Sequence, residues 1–391
     1  MFQPLDPAFQ ADPYPFYREL RDAGPILKDG VTQFVASRHE TVAALLRSEA
    51  VGSAWPEPFQ SLRMGEGAAK DFLLRVVLHR EGSTHLLLRQ VLGASMRLMT
   101  PAVTAQRIAE HTDRILDEAL EAETFDLVGG LAVPVPVAIS CELLGIPAAD
   151  QPLIREWGME TIKAFTMILP EEDRAGVSAA IDNLRAYIAT AWSSPAGHPL
   201  GRALAEFETV AEHTFDRDEI VDNIVFLLVS GFTTTVHLLA NMFGAFLEHP
   251  EQWRRLRAEP SLIGSAVEEV ARYDAPIQYI SRQVVQRLEI GGETLRPNRV
   301  VHLLLAGANR DERVFDDPDR FDIGRQPNPH VGFGAGRHVC LGAGLGRAES
   351  RGVLERLVAR CATLEPDGPL VRKPMQVFRS YESLPVRMRA R

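Results

Sequence analysis

Cysteine is scarce in this sequence: Cys141, Cys340 and Cys361 are the only three in 391 residues, and they stand far apart. An odd, scattered set excludes a disulfide framework and suits a reducing compartment, so a cytoplasmic location is expected. Basic charge is also short. With 42 Lys and Arg against 52 Asp and Glu, the formal charge is −10. That balance argues against a protein that coats nucleic acid or an anionic membrane. No internal repeat, low-complexity tract or Gly/Ser-rich linker divides the chain, which predicts one large domain over residues 1–391. The segment Met1–Pro7 lacks a basic start followed by an apolar stretch, so no secretory signal is expected. Long uncharged runs are nearly absent. The exception, Asn223 to Leu247, carries Ser230, Thr233, Thr234, Thr235, His237 and Asn241, polar groups that are costly facing lipid. It reads as a buried helix rather than a membrane span.

What is present is a large apolar fraction, 46% of the chain, enough to build a substantial core and exclude disorder as the main state. Helical periodicity dominates over Pro15–Ala23, Glu40–Leu46, Thr84–Met96, Val103–Ala122, Val135–Leu144, Leu153–Leu169 and Ala179–Trp192. Pro147, Pro170 and Pro195 sit just beyond three of these, where helices commonly stop. Asp216, with Glu219 three residues on, predicts the start of an unusually long helix reaching about Glu248. Another helix covers Leu262–Tyr273. Asp29-Gly30 between apolar runs predicts a hairpin over Ile26–Val35. After Pro276 the pattern turns to strands at Tyr279–Leu288 and Val300–Leu305, with a turn at Gly291-Gly292. Residues 307–332 read as a long irregular stretch, Cys340–Cys361 as helix, and Gln376–Val386 as a small sheet. Strand-rich parts near 25–36, 277–305 and 363–388 within a helical body predict an α+β fold that is mainly α-helical.

The segment Val331-Gly332-Phe333-Gly334-Ala335-Gly336-Arg337-His338-Val339-Cys340-Leu341-Gly342-Ala343-Gly344 carries the most chemistry. A glycine-dense loop presents a cysteine just as a helix begins, where the helix N-terminus, Arg337 and His338 all favour a thiolate. Glycines allow close backbone approach to a flat cofactor. Several readings compete. A dinucleotide fingerprint fails, because Arg337 and Arg347 occupy the positions where its last glycine belongs. Zinc needs several close ligands, and no second cysteine lies near Cys340. A lone cysteine is most often a small core hydrophobe. A thiolate ligating a haem iron uses every feature of the segment.

Phe333-x-x-Gly336-x-His338-x-Cys340-x-Gly342 resembles the haem-binding signature of the cytochromes P-450. The resemblance runs through nearly the whole chain. Ala11-Asp12-Pro13-Tyr14-Pro15-Phe16-Tyr17 is similar to the N-terminal segment of soluble bacterial members, and Glu269-x-x-Arg272 to the family's helix K pair. Gly307-Ala308-Asn309-Arg310-Asp311 and Phe315–Asp322 are similar to the stretch leading to the cysteine loop.

That resemblance implies a cytochrome P-450 fold with a long central helix over the haem, small β-sheets, and haem b held by Cys340 as axial ligand. It makes Phe333, Gly336 and Gly342 part of the cofactor cradle. His85, Arg89, Arg282 and His338 become partners of the haem propionates. Glu269 and Arg272 are expected as a buried pair holding the cysteine-side loop, with Arg320 as third member. Ser230-Gly231-Phe232-Thr233-Thr234-Thr235 falls where the family places an acid followed by threonine over the distal face. Gly231 and Thr234 fit, but Thr233 stands where Asp or Glu is usual. A hydroxyl relays a proton but cannot supply one as a carboxyl does.

The implied activity is insertion of one atom of dioxygen into a small, mostly apolar molecule, as expected in secondary-metabolite tailoring, with ferredoxin and ferredoxin reductase supplying electrons and no fused reductase. Arg337 and Arg347 are expected to favour an acidic carrier. Alternatives are oxidative coupling, dehydrogenation or peroxide-driven oxidation at the same haem, or a haem sensor without turnover. The pocket is expected along the loop around Val51–Val77, Trp157–Leu169, Ala175–Tyr187, Phe226–Thr234, Ile277–Ile280 and the tail near Phe378–Tyr381.

Overall fold

The computed structural model describes residues 2–97, 99–193 and 215–391. Pro195, expected as a helix stop, lies outside them. The chain forms two compact units. One comprises Met1–Gly52, Ile108–Val133 and Thr234–Arg391; the other comprises Ser53–Arg107 and Pro134–Thr233.

Every described strand belongs to the first unit. β1 (Ile26–Asp29) and β2 (Gln33–Ala36) pair antiparallel around Gly30, whose φ of 73° suits the turn. β3 is Val51–Gly52, β4 Phe125–Asp126, β5 Ile280–Val284, β6 Leu288–Ile290, β7 Glu293–Leu295 and β8 Val300–Leu303. The largest sheet runs β1-β2-β8-β5-β3, with β2 and β8 parallel and the other pairs antiparallel. β9 (Cys361–Pro366), β10 (Val371–Lys373), β11 (Ser380–Ser383) and β12 (Pro385–Ala390) close the chain. Phe34, Val51, Val284, Val301 and Leu303 turn their apolar faces into a core shared with Val42, Leu45 and Leu46 of the helix His39–Arg47. That packing lays the first cysteine-loop support, residues 46–51, beside the sheet.

The second unit is built from helices, among them Gly82–Ser95, Pro134–Leu143, Gln151–Thr161 and Glu171–Ser193. Two further helices, Glu57–Met64 and Ala68–Arg75, occupy the stretch expected as a loop around Val51–Val77. Gln151–Thr161 ends earlier than its apolar pattern suggested, and a 3₁₀ turn takes over at Ile162–Phe165.

One helix, Arg217–Glu248, runs through both units. The Glu219 amide donates to Asp216 Oδ1 at 2.7 Å, so the expected cap is in place. By length and composition this helix is apolar enough to cross a membrane, yet 72% of its most apolar window is buried inside the protein. A core helix meets the same description.

Candidate active site

The cysteine loop is held by its own backbone. The Cys340 amide donates to the Phe333 carbonyl at 2.9 Å, and the Gly334 amide to Val331 at 2.9 Å. Gly336 adopts φ 70°, and a Cβ there would stand 2.4 Å from the Leu46 carbonyl, so only glycine lets the loop lie this close to the helix His39–Arg47. Arg337 fastens the same edge, donating to the carbonyls of Ser48, at 3.1 Å, and Val51. The result is an exposed Cys340 just before the helix Ala343–Arg360, with Gly342 as its N-cap. Partial positive charge at that helix start favours the thiolate. Among the described residues no group of three His, Cys, Asp or Glu could hold a bare metal ion.

The stretch before the loop hangs on one buried pair. Arg272 Nε and Nη2 each donate to the Glu269 carboxylate at 2.8 Å, and both side chains are fully buried. The remaining Arg272 donors reach the carbonyls of Asn309 at 3.0 Å, Pro318 at 2.8 Å and Arg320 at 3.1 Å. Glu269 also accepts from the Asp322 amide at 2.9 Å and from Arg325 Nε at 3.2 Å. The third member is therefore Arg325. Arg320 contributes only its carbonyl, while its own guanidinium is 60% exposed and pairs with Asp322 at 3.3 Å. An exposed turn residue gains more by leaving its charge in water than by joining a buried pair. Asn309 carries the restraint onward, its Oδ1 accepting from the Val331 amide at 2.8 Å.

A second lock involves Arg347, which stacks over the Phe333 ring at 4.1 Å and donates twice to Glu268, at 2.7 and 2.9 Å. His330 Nε2 meets the same carboxylate at 3.0 Å. Burial pushes the Glu268 carboxyl up, but the His330 and Arg347 hydrogen bonds outweigh it and bring the pKa to about 2. The guanidinium donors of Arg337 and Arg347, expected to face a carrier, are thus used within the loop's own support.

The long helix shows a periodic opening. Phe226, Leu227, Ser230, Gly231 and Thr234 are half-buried, while Val229, Phe232, Thr233, Thr235 and Val236 are buried. Steps of one and four residues define a single helix face. Ser230 Oγ donates to the Phe226 carbonyl at 2.6 Å and Thr233 Oγ1 to Val229 at 2.7 Å, back-bonding that weakens the helix locally. Thr234 lies on the open face; Thr233 does not.

His85 is buried and Arg89 half-buried, one turn apart on Gly82–Ser95 in the helical unit. Arg282, on β5, and His338, ending a 3₁₀ turn at Gly336–His338, belong to the strand-bearing unit with Cys340. An exposed thiol at a helix start, with an arginine and a histidine in the same unit, is chemistry suited to an iron porphyrin and its carboxylates.

The sequence pattern of the family described as Cytochrome P450 matches residues 200–379. "Cytochrome P450 monooxygenase PikC" of Streptomyces venezuelae is 31% identical over 394 residues, covering 97% of this chain and 92% of that protein. The chain belongs to the cytochrome P450 family. "Biotin biosynthesis cytochrome P450" of Bacillus subtilis (strain 168) is 29% identical, covering 97% of this chain and 96% of that protein. The crystal structure of P450BioI in complex with hexadec-9Z-enoic acid ligated acyl carrier protein superposes with a TM-score of 0.87 at 29% identity, over 97% and 99% of the two chains. This P450 is accordingly a haem-dependent monooxygenase with the P450 fold, an oxidoreductase of the kind found in bacterial biosynthesis.

Two polar residues of this P450 escaped the sequence reading. Glu349 lies fully buried on Ala343–Arg360, where Gly346, Val353 and Leu357 share its interior face. Burial drives its pKa well above the usual carboxyl range, and the Thr235 hydroxyl offsets this only in part. An acid inside an apolar helical stripe was the available signal. His237 is buried as well, and it had no such signal, because it shares its uncharged run with Ser230, three threonines and Asn241.

Proposed function

We propose that this P450 inserts one atom of dioxygen into a mostly apolar small molecule, as a tailoring step in secondary-metabolite biosynthesis. In this reading the whole chain works as one cytoplasmic haem domain. Cys340 is the axial ligand of haem b, cradled by Phe333, Gly336 and Gly342. His85, Arg89, Arg282 and His338 hold the propionates as hydrogen-bonding and cationic partners. Haem supplies an iron that binds dioxygen and accepts electrons, and a thiolate ligand favours O–O cleavage.

The observation that carries this reading is the exposed Cys340 thiol at the start of Ala343–Arg360. On the half-buried face of the long helix, Gly231 lets Ser140 pack close, since an added Cβ would stand 3.1 Å from its Oγ, and Thr234 orders water and passes protons inward. Electrons come from a ferredoxin and its reductase.

The test is a carbon monoxide difference spectrum of the reduced protein, with haem identified after extraction. Wild type gives the thiolate band and releases haem b; Cys340→Ser loses the band, while Cys141→Ser and Cys361→Ser keep it. A wild type without the band refutes the assignment. Adding ferredoxin and reductase then supports turnover of apolar compounds that shift the spin state.

A second reading, peroxide-driven oxidation, draws support from Thr233, whose hydroxyl is committed to the Val229 carbonyl where the family usually has an acid. Turnover with peroxide alone, at the rate of the reductant-driven system, would favour it. Oxidative coupling and dehydrogenation are distinguished by the products.

A further inference from the structure

His237 sits on the long helix three residues beyond Thr234, on the same side of that helix. It is 2% exposed, and neither ring nitrogen has a hydrogen-bond partner among the described residues. Its ring packs against Phe378 at 5.5 Å between centroids, with the planes tilted by 42°. Phe378 is fixed in turn. It bridges to Ile277, and the flanking backbone is held by Gln278 N donating to Val377 O at 2.9 Å and Arg379 N donating to Pro276 O at 2.8 Å.

A buried imidazole with both nitrogens unsatisfied costs free energy, and such groups persist where function uses them. Protonation does not resolve the cost. Burial and the nearby Lys373 hold the ring neutral, with its pKa lowered to about 3. A neutral imidazole offers one donor and one acceptor and has no charge to give a carboxylate.

We infer that His237 is a specificity residue, hydrogen-bonding a hydroxyl or carbonyl oxygen of the bound small molecule beside Phe378. This rests on the proposed reading that the Ile277–Ile280 and Phe378–Tyr381 segments line the substrate pocket. The substrate is then an apolar body carrying a neutral oxygen function, rather than a plain hydrocarbon or a free acid held by an ion pair.

The test uses the holoenzyme with His237→Leu and His237→Met, the second because its flexible side chain fills irregular gaps. First, the midpoint of thermal unfolding is measured without added ligand. A polar group kept for a ligand destabilises the empty protein, so at least one variant melts higher than wild type. If both melt lower, the ring is a structural member and the inference fails. Second, tetralin, 1-tetralone and 1-tetralol are titrated by spin-state shift and by calorimetry. The variants should weaken binding of an oxygenated member about tenfold more than binding of tetralin, the loss of one buried hydrogen bond. An equal effect on all three, or no binding of the oxygenated pair to wild type, overturns it. A wild type lacking the thiolate band would refute the haem assignment instead, leaving the melting comparison to decide His237 alone.

Discussion

Arg325 Nε reaches Glu269 Oε1 at 3.2 Å across 56 residues of chain, completing the buried pair that Arg272 begins. Its other donors close onto the carbonyls of Asp316 at 2.7 Å, and of Asp317 and Arg320 at 3.1 Å. One carboxylate thus gathers the irregular stretch that precedes the cysteine loop. Without it the segment would have few regular hydrogen bonds to hold its shape.

Removing these guanidinium groups should therefore have graded costs. Arg272→Ala leaves the Glu269 charge buried beside one remaining arginine and is expected to cost about 3–5 kcal/mol. Arg325→Ala removes one charged hydrogen bond to the carboxylate and should cost about 2 kcal/mol. Arg320→Ala, at an exposed position, should stay within about 0.5 kcal/mol of wild type. Denaturant unfolding of the holoenzyme, with haem retention read in parallel, checks the order. A loss at Arg320 equal to that at Arg325 would contradict it.

That distinction was hidden in the sequence for a physical reason. Helical spacing places Glu269 and Arg272 on one face, so their pairing was legible. Spacing says nothing about which loop arginine folds back, because that depends on where the turns at Asp317 and Asp322 aim each side chain. The long helix was legible from its uncharged run and from Asp216, and the hairpin from Asp29-Gly30. The helices Glu57–Met64 and Ala68–Arg75 lie in the stretch expected as a loop around Val51–Val77, where Pro56, Pro58, Gly65 and Gly67 are of the residue types that punctuate loops. Here the proline starts a helix at its second position and the glycines separate two short helices. In the site, Cys340 and its glycines were legible because they stand close in sequence. Glu268 and His330 were not: their meeting with Arg347 joins three separate segments.

The two adjacent threonines should separate in function. Thr234 is on the half-buried face, whereas Thr233 is fully buried with its hydroxyl donated to Val229. Thr234→Ala is expected to lower product formation by about a hundredfold while reductant consumption continues, as the loss of a proton-relay group does. Thr233→Val keeps the shape and loses only the back-bond, so product per electron should change little. Measuring product against reductant consumed tests both. If Thr233→Val uncouples the enzyme as strongly as Thr234→Ala, the relay runs through the buried hydroxyl instead.

Glu349 gives the protein a pH dependence of determinate sign. Its carboxyl is ordinarily half-ionised at 4.5; in the fold, burial raises that value well above 4.5 against the weaker pull of the Thr235 hydroxyl. Below pH 4.5 the group is protonated in both folded and unfolded chains and contributes no slope. As pH rises past 4.5 the unfolded chain releases this proton while the folded one keeps it, so the unfolded state gains. Stability therefore falls with rising pH until the folded group also ionises. Glu349→Gln is close in shape and cannot ionise, so it should remove this part of the slope. The variant is expected to match wild type most closely near pH 4 and to exceed it progressively toward neutral pH, in thermal melts taken at fixed ionic strength. Glu268 acts oppositely, its lowered pKa making it lose stability as pH falls from 4.5 toward 2, and it is present in both proteins. The difference between the two melting curves thus isolates Glu349, and a difference that stays flat across pH 4–8 would mean that its carboxyl is already ionised in the fold.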